Sequence, residues 1–178
     1  MKTNLFKSFL LALVAAMLPQ LASAHDFEVD GIYYLINGNE ATVTYEGNDY
    51  VDFENEYTGV VNIPSTVTYN GGIYSVTSIG EGAFYYCTGL TSVIIPNSVT
   101  YIYYWAFNGC SGLTSIVVDG GNYKYDSRDN GNAIIESESN TLITGCKNTV
   151  IPNSVTTIGD GNITAADITV LYNLLLGN

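Results

Sequence analysis

Three patterns of apolar and polar residues follow one another along the chain, and each predicts a different kind of element. The first is an unbroken apolar run from Phe9 to Leu18, behind Lys2 and Lys7 and ahead of Ala22-Ser23-Ala24. A positive start, a short hydrophobic middle and a small-x-small ending make a secretory signal peptide over 1–24, cleaved after Ala24. Pro19 and Gln20 interrupt the run, which falls short of the roughly 20 apolar residues of a membrane span. No later run is long enough to cross a membrane either. From Phe27 to Tyr45 the pattern changes to period-2 alternation around Asn37-Gly38, a hairpin signal, within an N-terminal β cap over 25–58.

The third pattern repeats itself. Val76-Thr-Ser-Ile79, Ala83-Phe84, Cys87 and Gly89-Leu90 recur as Val99-Thr-Tyr-Ile102, Ala106-Phe107, Cys110 and Gly112-Leu113, each displaced by 23 residues. Ile95-Pro96-Asn97-Ser98-Val99-Thr100 returns as Ile151-Pro152-Asn153-Ser154-Val155-Thr156, and a variant stands at Ile63-Pro64-Ser65-Thr66-Val67-Thr68. A period in the low twenties with fixed Leu and Ile is the signature of a leucine-rich-repeat solenoid. Leu90–Ile95 and Leu113–Val118 are short β-branched runs expected to stack as parallel strands, the first closed by Pro96, which has no N–H for a ladder. Ile79, Ile102 and Ile158, with the Ala-Phe pairs, turn the chain back and fill the interior. The predicted fold is mainly β: a short solenoid over 59–158 carrying an inserted loop and hairpin at 119–148.

Within that insertion, Asn132–Glu136 and Thr141–Thr144 read as two strands joined by Ser137–Asn140. The preceding stretch, Asp119 to Asp129, is polar and holds Lys124 and Arg128, so it reads as a solvated loop. After Ile158 the period switches to helix: Thr164 and Asp167 form a capping-box-like start, Ile168, Leu171, Leu174 and Leu175 one apolar stripe, and Gly177 a C-cap.

The repeat closely resembles the BspA-like leucine-rich repeats of secreted and surface proteins of gut and oral Bacteroidetes, over about residues 59–158. The resemblance implies a secreted or outer-surface protein, with adhesion or host-matrix binding known among relatives. Segment 159–178 resembles part of a type I dockerin repeat, which implies a calcium loop with Asp160, Asn162, Thr164 and Asp167 at or beside ligand positions. Two further ligand positions fall on Thr156 and Ile158, and calcium needs six to eight oxygens, which Ile cannot supply. The segment is therefore read as an amphipathic end cap; neither calcium nor a cohesin partner is expected.

Composition narrows the function. With 17 Asp+Glu against 5 Lys+Arg, the net charge is −12, and loss of both leader lysines makes it two units more negative. A nucleic-acid binder needs the opposite sign. The lone His25 sits at the cleavage boundary, so a Cys–His nucleophile is not expected. Asp52, Glu54 and Glu56 alternate along one strand face and read as a solvated acidic edge. Cys87 and Cys110 lie one repeat apart, at a spacing that a disulfide could bridge, although buried thiols in a ladder are the favoured reading. Six aromatics, Tyr85, Tyr86, Tyr101, Tyr103, Tyr104 and Trp105, cluster in the Ile-to-Cys arcs of two successive coils. They are either a binding surface or cover for the solenoid's apolar flank. The expectation is a non-catalytic module for an extracellular protein or glycan, without cofactor. The alternative is an accessory component of a polysaccharide-degrading assembly, recruited through the tail.

Overall fold

The computed structural model describes residues 24–52 and 55–159, so the expected signal peptide and the helix expected after Ile158 fall outside the described residues. The chain opens with β1 (Phe27–Val29), β2 (Ile32–Asn37) and β3 (Glu40–Thr44), then β4 (Gly59–Asn62), β5 (Thr66–Tyr69) and β6 (Gly72–Ile79). β7 (Leu90–Ile95), β8 (Tyr101–Ile102) and β9 (Ser115–Val118) follow. β10 (Tyr125–Asp126), β11 (Ala133–Glu136), β12 (Thr141–Gly145) and β13 (Thr157–Ile158) complete the described part, with one 3-10 turn at Arg128–Asn130 as its helical element.

Two parallel ladders carry the repeat. β7 pairs with β9 in the register Ser92 to Ser115 and Ile95 to Val118, which is the 23-residue offset expressed as hydrogen bonds. β6 pairs with β8 in the same phase, Ile79 against Ile102. Between the ladders the arcs stack as well: the Phe84 N–H donates to the Ala106 carbonyl at 2.8 Å and the Tyr86 N–H to Asn108 at 2.8 Å. Equivalent side chains therefore pile up in columns. Phe84 and Phe107 are fully buried and stack with centroids 5.0 Å apart, and Tyr57 continues the column at 4.8 Å from Phe84. Leu90 with Leu113, Val93 with Ile116 and Cys87 with Cys110 are buried beside them. No coil could cover this apolar face alone; the neighbour does it.

The repeated Gly before each Leu has a steric cause. A Cβ on Gly112 would stand 2.0 Å from the Thr88 carbonyl oxygen of the coil before, closer than any side chain can approach.

At the N-terminal end, β1, β2 and β3 run antiparallel, joined by tight turns at Asp30-Gly31 and Gly38-Asn39. β3 then pairs parallel with β6, so this hairpin unit extends the second ladder. At the other end the repeat phase breaks. β13 holds Ile158, the sequence equivalent of Ile102, yet it pairs with β12 of the insertion, Leu142 against Ile158. β10, β11, β12 and β13 form their own sheet. Its apolar face, Ala133, Ile135 and Leu142 with Ile151, Val155 and Ile158 against it, is a second, smaller core.

The loop ahead of β10 departs from the solvated loop read from its polarity. Asn122 is buried and fully used: its Nδ2 donates to the carbonyls of Pro96 (3.0 Å) and Val99 (2.8 Å), and its Oδ1 accepts the N–H groups of Lys124 and Tyr125 at 2.9 Å. Arg128 is bound by the Asp126 carboxylate at 2.5 Å and by Asn140 at 2.8 Å, and Lys124 by Glu136 at 2.6 Å. One amide with four partners outweighs the local preference of a polar stretch for water.

Candidate functional site

The six aromatic candidates divide between two places. Tyr101 and Tyr103 pair edge to face at 4.5 Å. Tyr85 and Tyr86 pair at 4.7 Å, and Tyr85 also meets Tyr50 at 4.8 Å. Trp105 lies 6.1 Å from the same Tyr50, which in turn touches Tyr45 at 6.2 Å. Tyr104 is the most open of the six, 67% exposed, while its carbonyl accepts the Gly82 N–H. Tyr86, Tyr101, Tyr103 and Trp105 are each 43–52% exposed and Tyr85 is half-buried. Tyr50 is thus the hub of the larger group. It stands outside the repeat, so no periodic mate points to it in the sequence; the only signal is its place in a Tyr-rich acidic stretch.

The backbone beneath these rings is unusual. Tyr86 has φ 50° and Trp105 φ 57°, the left-handed region that bulky side chains avoid at a cost of about 1–2 kcal/mol. One repeat away, the matching positions are glycines: Gly109 (φ 76°) answers Tyr86, and Gly82 (φ 61°) answers Trp105. Every coil needs a left-handed residue at these two points, and the chain uses Gly at one and an aromatic at the other. The glycines also act as floors. A Cβ on Gly82 would lie 2.5 Å from Tyr50 Cγ, and one on Gly109 would lie 2.7 Å from Tyr86 Cδ2. Tyr50 and Tyr86 thus each lean over a bare backbone.

Acids border the strip. Burial first, then Asp49 and Glu81, push the Tyr45 and Tyr50 hydroxyls above the ordinary phenol value. Of the acidic edge expected at Asp52, Glu54 and Glu56, Asp52 is exposed and Glu54 is outside the described residues. Glu56 differs: it is half-buried, its carboxylate accepts the Glu46 N–H at 2.6 Å, and burial pushes it up to about 7.

The thiols are built for packing. Cys110 Sγ donates to the Phe84 carbonyl at 2.9 Å, and Cys87 Sγ accepts the Tyr57 N–H at 3.4 Å; neither forms a disulfide. Burial raises both thiols, Cys87 to about 11, and a thiol held protonated is a poor nucleophile. Cys146 is tied in similarly, through Sγ to the Asn132 carbonyl at 3.3 Å. The His25 ring lies against Tyr33 with its Nδ1 2.9 Å from the Glu46 carbonyl oxygen. Among the described residues no three His, Cys, Asp or Glu are grouped to hold a metal, and no helix is long and apolar enough to cross a membrane. The calcium-loop residues Asp160, Asn162, Thr164 and Asp167 lie outside the described residues.

Parallel ladders in a 23-residue phase, with Leu, Ile and Phe columns inside and rings outside, define a leucine-rich repeat protein. The chain belongs to the BspA-type leucine-rich repeat family: the BspA type Leucine rich repeat region (6 copies) matches residues 53–171. The matched span runs past Ile158, beyond the 59–158 expected for the repeat. A leucine-rich repeat protein from Bacteroides ovatus is 29% identical over 76% of this chain and 38% of its own, with a TM-score of 0.51. A leucine rich cell surface protein from Faecalibacterium prausnitzii is 32% identical over 55% of this chain and 24% of its own, with a TM-score of 0.42. A third, from Bacteroides capillosus, is 28% identical over 52% and 64%, at 0.42. The chain thus spans less than two thirds of the length of each. No curated protein matches it.

Proposed function

We propose that this protein is a non-catalytic, secreted or cell-surface binding module, a short leucine-rich-repeat solenoid whose partner is an extracellular protein or glycan held by the aromatic strip. The observation that carries the reading is the left-handed backbone at Tyr86 and Trp105. A fold alone has no reason to place large, half-exposed rings where glycine serves without strain; strained residues with outward side chains mark functional surfaces. Tyr and Trp suit such a surface because they offer large contact area at low entropic cost. Membership of the BspA-type repeat family supports display outside the cell. The alternative, recruitment into a polysaccharide-degrading assembly, rests on residues 159–178, and no described residue favours it.

The test compares Trp105→Gly, Trp105→Ala and the unaltered chain on glycan and matrix-protein arrays, with thermal unfolding alongside. Both variants are expected to lose about tenfold or more in binding to whatever the unaltered chain captures. In stability they should separate: Gly relieves the left-handed strain that Ala keeps, so Trp105→Gly should be the more stable by about 1 kcal/mol. Full binding by both variants would discard the strip.

A further inference from the structure

A second concavity lies at the N-terminal end, lined by none of the strip residues. Its volume is about 580 Å³, and its walls are the Val29–Ile32 turn on one side and Glu56, Tyr57, Thr58 and the β4 segment to Pro64 on the other. Two carboxylates, Asp30 and Glu56, belong to its lining. Tyr34 does too, and it is the unusual member.

Two buried tyrosines stand here and only one is satisfied. The Tyr57 hydroxyl donates to the Thr44 carbonyl at 2.5 Å and accepts the Tyr33 N–H at 3.1 Å. Tyr34 is fully buried, and its hydroxyl has no hydrogen-bond partner among the described residues. Native proteins rarely leave a buried hydroxyl unused, because the lost water bond is not replaced. Asp30 raises the Tyr34 phenol further, after burial itself, which places a negative charge near this unused oxygen.

The cavity also runs along an open sheet edge. β4 is the outer strand of the β4-β7-β9 ladder. The Gly59 and Ile63 N–H groups donate to the Gly89 and Ile94 carbonyls, so the odd-numbered residues face β7. By alternation, the main-chain groups of Val60 and Asn62 face away from it, and both residues line the cavity. Val60 is 66% exposed, without the charge or Pro that usually blunts an edge.

We propose that this cavity receives the side-chain cation of a lysine or arginine on a partner polypeptide lying extended along the free edge of β4. The carboxylates of Asp30 and Glu56 take the charge, the Tyr34 hydroxyl takes one of its N–H groups, and the Val60 and Asn62 main chain pairs with the partner's backbone. Charge complementarity favours this occupant: the chain is strongly acidic, and of the three cations among the described residues Lys124 and Arg128 are engaged in ion pairs of the insertion, while Lys147 lies just beyond β12 and not in the cavity lining. The ionisable groups that interact with Glu56 are Glu46, Tyr33, Tyr57 and Cys87, with Asp30 on the opposite wall and His25 one step further out, against Tyr33.

Calorimetric titration of the full chain with a blocked Val-Lys-Val tripeptide, its Arg and norleucine analogues, and cadaverine tests this. The Lys and Arg peptides should bind about tenfold tighter than the norleucine peptide, and Glu56→Gln and Tyr34→Phe should each weaken them about fivefold. Tyr34→Phe should raise the melting temperature, since it removes a buried hydroxyl that has no bond to lose, which separates a lost ligand contact from a damaged fold. Lys-peptide affinity should fall between about pH 8 and about pH 6 as Glu56 takes up its proton. Equal binding of the norleucine peptide, equal binding of cadaverine and the Lys peptide, or no binding at millimolar peptide would each overturn the proposal. Trp105→Ala leaves the cavity lining intact, so peptide binding should survive it even where array binding does not.

Discussion

The two coils from Val76 to Val118 and the insertion that follows are both short β structure, yet they are held together by opposite means. In the coils, each buried position is answered 23 residues on by a similar side chain, so cohesion comes from columns such as Phe84 on Phe107. In the segment from Asp119 to Gly159 the echo is not kept in the packing: Ile158 repeats Ile102 in sequence but pairs with β12. There a small apolar cluster is supplemented by single polar anchors: Asn122 with four bonds, Arg128 on Asp126, and Lys124 on Glu136. Repetition spreads stability over many equivalent contacts; an insertion without repetition concentrates it in a few.

Three perturbations sharpen that contrast. The largest effect is expected from Phe107→Ala, which opens a void in the fully buried column and should cost about 3–5 kcal/mol of global stability by denaturant unfolding. Leu142→Ala, in the smaller core, should instead loosen hydrogen exchange mainly over 133–158 while the amides of β7 and β9 stay protected. Equal loss in both regions would show that they unfold as one unit. Next is Asn122→Ala, expected to cost about 2–3 kcal/mol because the Pro96 and Val99 carbonyls, the buried Tyr125 N–H and the half-buried Lys124 N–H lose their partner together. Asn122→Asp should not rescue it, since a carboxylate has no N–H to give those carbonyls.

The smallest effect is one of pH, and its sign differs between the ends. The Lys124 ammonium holds the Glu136 carboxyl below its ordinary value, so this pair adds stability at neutral pH that is lost as pH falls through the depressed folded value. Glu56 is the reverse case: burial raises it to about 7, so the folded cap binds its proton first and gains stability as the solution is acidified from neutral towards about pH 4.5. Exchange of β3 amides should slow, relative to intrinsic rates, between about pH 7 and about pH 5, while the protection of β11 and β12 amides weakens only below about pH 4. Parallel behaviour of the two ends would remove the distinction.

What the sequence makes legible follows the same division. The Ile, Ala-Phe, Cys and Gly-Leu echo predicts both the register of β7 on β9 and the Phe column, because periodic contacts are written twice. The Asn37-Gly38 signal predicts the β2–β3 hairpin from local geometry, although the turn falls one residue later, at Gly38-Asn39. Asn70-Gly71 carries an equally strong local signal, with φ 48° and 79°, for the β5–β6 hairpin, but the repeat pattern around it draws attention away. Asn122 and Tyr50 are hidden for a different reason. Each acts through long-range contacts made once, and composition reads the first as part of a wet loop and the second as one tyrosine among many. Ile158 misleads outright: its echo of Ile102 suggests the same ladder, whereas β12 claims it.

The alternation of glycine and aromatic at the left-handed positions has a consequence for how such a protein changes size. A coil copied in phase between Val76 and Val118 meets the same groups above and below, so it needs no new interface, and its cost or gain is a nearest-neighbour sum. Each copy would also bring its own outward ring, at Tyr86 or Trp105. Lengthening the stack therefore multiplies contact points on a rigid spacing, and against a repetitive partner such as a polymer strand the gain is one of avidity, without any single contact being improved.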